Sequence, residues 1–157
     1  MKNFYLTIMA LLVSAASVQS QTIEQEIEIF KEVFGKGKKL IVAEFIQPAD
    51  DIDDKFWEVY ESYETERQSL GEERISILMD YADNYENMSE QKMSELMKRA
   101  QTHHKKFGAL LTKYQKKIQK ISSIKASAQF YQLENYFESV IRLSIMESIP
   151  FIGELEN

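Results

Sequence analysis

The chain is expected to be all-α: a long antiparallel helical hairpin with shorter flanking helices, four main helices in all. Three observations predict this. Only five glycines and two prolines occur in 157 residues, too few for the turns that sheets and long loops need. Glu, Lys, Gln, Met, Leu and Ala, which favour helix, are abundant. From residue 56 onward, apolar side chains recur at alternating steps of three and four, the period of helices that pack along one another.

The first twenty residues stand apart. Lys2 precedes an apolar run from Phe4 to Val13, followed by the small residues Ala15, Ala16, Ser17 and Ser20. That order is a secretory signal peptide, with cleavage expected after Ser20 or, as the alternative, after Ser17. The run is about half the length a membrane span requires. A buried N-terminal helix is the competing reading. Residues 21–157 then form a single helical domain, and no later segment is long and apolar enough to span a membrane. The chain has no cysteine, which removes disulfides and a lipid anchor at the cut. The expected location is periplasmic, with the protein soluble after cleavage.

The helices follow in order. Thr22 to Phe34 opens with a Thr-x-x-Gln capping box, Thr22 and Gln25, and Gly35 and Gly37 suit its stop. A short continuation, Lys38 to Gln47, runs into Pro48. The second helix starts within Asp50 to Asp54, where acids favour the positive end of the helix dipole. Its seam is Phe56, Tyr60, Tyr63, Arg67, Leu70, Arg74, Ile77 and Tyr81, widened by Trp57, Val59 and Leu78. The stems of Arg67 and Arg74 can pack while their heads reach solvent or an acid. Asn87 to Ser89 is a tight turn. The third helix carries Met93, Leu96, Met97, Ala100, Phe107, Leu110, Leu111, Tyr114, Ile118 and Ile121. After a turn at Ser122 and Ser123, the fourth presents Phe130, Leu133, Phe137, Val140, Ile141 and Ile145, pairs Glu138 with Arg142 at i,i+4, and ends at Pro150. Short turns make neighbours antiparallel, so Gly71 and Gly108 fall at about one height and suggest a close crossing or a bend there.

Net charge is −6, which argues against nonspecific nucleic-acid binding. The charge is unevenly placed. Glu44 to Glu90 holds fifteen acids against three bases, and Gln91 to Lys125 holds ten bases against Glu95 alone. Either an acidic helix lies beside a basic one, or a basic surface is left open to recruit acidic or unfolded partners.

Met88-Ser89-Glu90-Gln91-Lys92 and Ile121-Ser122-Ser123-Ile124-Lys125 share one pattern: apolar, Ser, two free positions, Lys. Ser89 and Ser122 read as helix N-caps, with Met88 and Met93 as a hydrophobic staple. The pattern resembles the Leu-Thr-x-x-Gln repeat of the Spy/CpxP family of periplasmic stress proteins, with Lys92 and Lys125 where the family carries Gln. Phe56-Trp57-x-x-Tyr60-x-x-Tyr63 and Phe130-Tyr131-Gln132-Leu133-Glu134-Asn135, ending near Ile149-Pro150, are similar to a group of uncharacterised exported helical proteins over about residues 38–152. The resemblance implies a Spy-like cradle or bundle that binds unfolded or envelope proteins without ATP, and it implies a homodimer. Matched by location, the client-binding candidates are Arg99, Lys106, Phe107, Lys113 and Lys117. Stress response and a chaperone or adaptor role are part of the same expectation.

Residue patterns for other chemistry are weak. His103 and His104 are adjacent and point about 100° apart, unlike a His-x-x-x-His chelate, and the Glu-x-x-His signature of di-iron bundles is missing. Met88, Met93 and Met97 could hold Cu(I) through thioethers, but Met at core spacing is an ordinary packing residue. Gly35-Lys36-Gly37-Lys38-Lys39 lacks the spacing of a phosphate loop. No metal, no cofactor and no catalytic residue is expected. The alternatives to a chaperone-like binder are a metal-responsive sensor or scavenger and an envelope protein with one dedicated partner.

Overall fold

In a computed structural model of the chain, residues 37–46 and 53–152 are described. The signal peptide, the expected helix Thr22–Phe34 with its capping box, and Pro48 lie outside them. The described part is 92% helical, with four helices and no strands, so the all-α expectation holds. Helix α1 is described at residues 37–45. Then come α2 (Asp53–Asn84), a 3-10 turn (Tyr85–Asn87), α3 (Glu90–Ile121) and α4 (Ile124–Ser148). No described helix is long and apolar enough to cross a membrane. The chain divides into two compact units, Met1–Ile41 and Val42–Asn157. Of the first, residues 37–41 are described and helical, including Gly37, which was expected to end a helix.

The second unit is built on α2 and α3, which pack along each other, with α4 packed against α3. Ser89 caps α3 as expected: its side chain accepts the Lys92 N–H at 3.2 Å. The cap of α4 is Ser123 rather than Ser122. Ser123 accepts from the Ala126 N–H at 3.0 Å, while the Ser122 N–H still closes the last turn of α3 on the Ile118 carbonyl. An extended residue must precede the first helical turn, and only Ser123 is extended.

The core is aromatic. Phe56, Tyr60, Tyr63, Tyr114, Phe130 and Ile118 are almost fully buried. Phe130 of α4 meets Tyr63 edge-on at 5.0 Å and Tyr60 at 6.5 Å, and Tyr63 meets Tyr114 of α3 at 5.4 Å. Burial of Leu96, His103, Phe107, Leu110, Leu111 and Ile118 completes the inward face of α3.

Three apolar positions expected to face inward do not. Met97, Ala100 and Val140 are exposed: Met97 lies about 100° round α3 from the buried Leu96, and Val140 about 60° round α4 from the buried Phe137. Glu138 also departs from expectation. Its partner is Arg74 of α2, at 2.5 Å, and not Arg142. Gly71 and Gly108 do not mark a close crossing: a Cβ at either would meet nothing within 4 Å.

Candidate functional site

The ten bases of the 91–125 segment sort by their position around α3. Glu66, Glu73 and Asp80 recur every seven residues on α2, and Arg99, Lys106 and Lys113 do the same on α3. Seven residues are about two turns, so each set lies along one side of its helix. The two sets meet. Arg99 Nη1 is 2.5 Å from Asp80, Lys106 Nζ 2.8 Å from Glu73, and Lys113 Nζ 2.7 Å from Glu66. Arg99 also donates to Ser76 Oγ at 3.1 Å. Below these rungs Lys92 reaches Asp80 at 3.2 Å and Glu95 at 3.1 Å.

The rungs set the local electrostatics. Hydrogen bonds from Lys113 and Tyr114 hold the Glu66 carboxyl below its ordinary value, and Lys106 does the same for Glu73. Lys92 and then Arg99 lower Asp80. Burial first, and Glu66 second, push the Tyr114 phenol up to about 12, so it stays a neutral donor, 2.7 Å from Glu66.

The expected client-binding residues are therefore largely engaged within the chain. Arg99, Lys106 and Lys113 are rungs, Lys117 lies 4.6 Å over the Tyr114 ring, and Phe107 is buried. Of the two readings of the charge split, these positions follow the first: the basic side of α3 forms a seam of ion pairs with the acidic side of α2. Its rungs are weak, however: Lys106 and Lys113 remain about half exposed, at 51% and 47%, where an ion pair contributes about 0.2–1 kcal/mol.

Four of the ten bases, Lys98, Lys105, Lys116 and Lys120, are not among the client-binding candidates. All are exposed, on the side of α3 away from the core, and none forms an ion pair among the described residues. Nothing local separates them from the rung lysines, since only the register with α2 decides which base meets an acid.

A second surface lies on α4. Its inward face holds Phe130, Leu133 and Phe137. Its outward face carries Tyr136, Val140, Leu143 and Met146, between 45% and 57% exposed. These positions fall within about a third of the helix circumference at 100° per residue. Just beyond the helix, Phe151 and Ile152 are exposed as well. The segment holding them is tethered by its backbone: Tyr81 donates to the Pro150 carbonyl at 2.7 Å and Tyr85 to the Phe151 carbonyl at 2.8 Å. Those bonds leave the Phe151 and Ile152 side chains at the surface beside the apolar end of α4.

The buried polar groups belong to the core. Tyr63 donates to Glu134 Oε2 at 2.7 Å, and burial drives the Tyr60 and Tyr63 phenols far above their ordinary value. Arg67 chelates Glu64 at 3.0 and 3.1 Å. The histidines divide as their spacing predicts: His104 is exposed, whereas His103 is buried with Nε2 donating to the Leu70 carbonyl at 2.9 Å. Desolvation lowers the His103 pKa. No group of three or more His, Asp or Glu among the described residues is placed to hold a metal ion.

No family model matches the chain, and neither a curated protein nor a solved structure does.

Proposed function

We propose that this chain is an exported, periplasmic binding protein that captures unfolded or envelope proteins without ATP, acting as a chaperone or envelope-stress adaptor. One observation carries this reading: the outward face of α4 exposes the large side chains Tyr136, Val140, Leu143 and Met146 beside Glu147, and Phe151 and Ile152 continue it. Contiguous exposed apolar area of this kind marks protein-binding surfaces. The exposed lysines of α3 add a long-range, salt-sensitive attraction for acidic segments. Contact is then made by apolar burial, which needs no nucleotide.

The experiment is suppression of aggregation of a denatured client at near-stoichiometric amounts, without ATP. Val140→Asp with Leu143→Asp should remove most of the suppression while leaving helix content unchanged, because both side chains are exposed. A wild-type chain that suppresses at no ratio refutes the proposal. Capture of one stoichiometric protein by the same face, in place of many unfolded ones, identifies a dedicated-partner protein instead.

A further inference from the structure

The two halves of α4 are held differently. Up to Phe137 it buries Ala126, Ser127, Phe130, Leu133, Glu134 and Phe137. Beyond Phe137, every described side chain as far as Ile152 is half-buried or exposed. That stretch is nonetheless apolar on two sides. Ile141 and Ile145, continued by Ile149 past the last helical turn, form a half-buried inner stripe, while Val140, Leu143 and Met146 stand exposed outside it. A segment without fully buried apolar contacts lies at the low end of local stability. Polar links tie it to α2. Arg74 meets Glu138 where the stretch begins. At its other end, Ile149 is extended and Pro150 follows, so the next carbonyls lie outside the helix. Tyr81 donates to that of Pro150 at 2.7 Å and Tyr85 to that of Phe151 at 2.8 Å. The two rings lie together, centroids 5.6 Å apart, so the end of α2 and the 3-10 turn present both hydroxyls side by side.

We propose that Tyr81 and Tyr85 form a latch that regulates client capture: they hold residues 139–152 as an arm against the hairpin, and its release adds Ile141, Ile145 and Ile149 to the exposed apolar face. The inference rests on the client-binding reading of α4. The arm pivots at Phe137, the last buried side chain of the helix. The half before the pivot stays in place, because Phe130 is packed edge-on against Tyr63 and Tyr60. The latch suits a reversible step. Each bond joins a hydroxyl to a carbonyl beyond the helix end, and water can replace either partner at small net cost. The gain on release is apolar area for a client to cover. Tyr81 and Tyr85 touch no client in this scheme. They are positioning residues that set how much of the arm is on offer.

Tyr81→Phe with Tyr85→Phe removes both hydroxyls and keeps both rings. In the full-length chain, amide hydrogen exchange over residues 139–152 should rise about tenfold, the combined effect of two neutral hydrogen bonds. Residues 126–137 should exchange as in wild type. Affinity for dye-labelled, unfolded lysozyme, read by fluorescence anisotropy, should rise in the same proportion as the open population. A merely structural defect would weaken capture, so the sign separates the two roles. Ser123→Ala is the control: it loosens α4 at the far end, through the bond to the Ala126 N–H, and should leave affinity unchanged. The latch is overturned by unchanged exchange over 139–152, by faster exchange along the whole helix, by affinity that is unchanged or weaker, or by Ser123→Ala matching the latch variant. In each of those cases a wild type that captures unfolded lysozyme leaves the client reading standing. A wild type that binds no unfolded lysozyme and suppresses no aggregation overturns the client reading, and the latch as its regulator falls with it.

Discussion

Phe130→Ala is the sharpest test of which face of α4 is the core. Phe130 is 1% exposed, with its ring edge-on to Tyr63 at 5.0 Å and to Tyr60 at 6.5 Å. Truncation removes the transfer energy of a buried benzyl group and leaves a cavity between rings too rigid to collapse into it, so the cost should be about 3–5 kcal/mol. The two edge-to-face contacts, each about 0.5–1.5 kcal/mol beyond area burial, favour the upper half of that range. Leu143→Ala, 57% exposed on the opposite side of the same helix, should cost no more than about 0.5 kcal/mol. Urea unfolding followed by circular dichroism measures both, with unchanged m-values as the check that the difference lies in the native state. A Phe130→Ala cost below about 1.5 kcal/mol, or a Leu143→Ala cost of similar size, would mean that α4 is turned over. The open apolar face assigned to it would then be wrong too.

The Glu73–Lys106 rung should show a coupling of about 0.2–1 kcal/mol in a double-mutant cycle and should fade in high salt, because both partners are solvent-exposed; a larger, salt-insensitive coupling would contradict the geometry. His103 has a folded pKa below its ordinary 6.5, so the unfolded chain binds the proton more readily. Stability is expected to be full above that value and to fall as pH drops below it. His103→Gln should flatten the slope between pH 7 and 5.5, measured as the urea midpoint, while Glu66 and Glu73, held below 4.5, add a second loss as pH falls through that value. Ser123→Ala should cost about 1 kcal/mol through the lost α4 cap, and Ser122→Ala much less; equal effects in thermal unfolding would return the cap to Ser122.

The hairpin was legible because its signals are local. A seam of threes and fours, a Ser before a helix and a scarcity of Gly and Pro each act within a few residues. The misread positions depend on what is distant. Ser122 and Ser123 are equally good caps in isolation; the end of α3 decides between them. Glu138 has Arg142 one turn away, yet takes Arg74 in a half-buried position where charges are less screened. Lys105 and Lys106 are neighbours of the same type, but a 100° rotation makes one a rung and leaves the other in solvent. Met97 and Val140 are apolar and one step off the seam, a distinction that composition does not carry.

The rungs also constrain how the hairpin can change in length. They recur every seven residues on both helices and run in opposite chain directions about the turn near Met88. Inserting a single residue between two rungs on one helix rotates everything beyond it by about 100°, so every rung on the far side is lost at once. Seven residues added to one helix alone restore the rotation but displace the level by about 10 Å, pairing each acid with the wrong base or with none. Only matched additions of seven on α2 and α3 preserve both. Natural length variants of this chain should therefore differ in the hairpin by paired heptads, with single-residue changes confined to the turns.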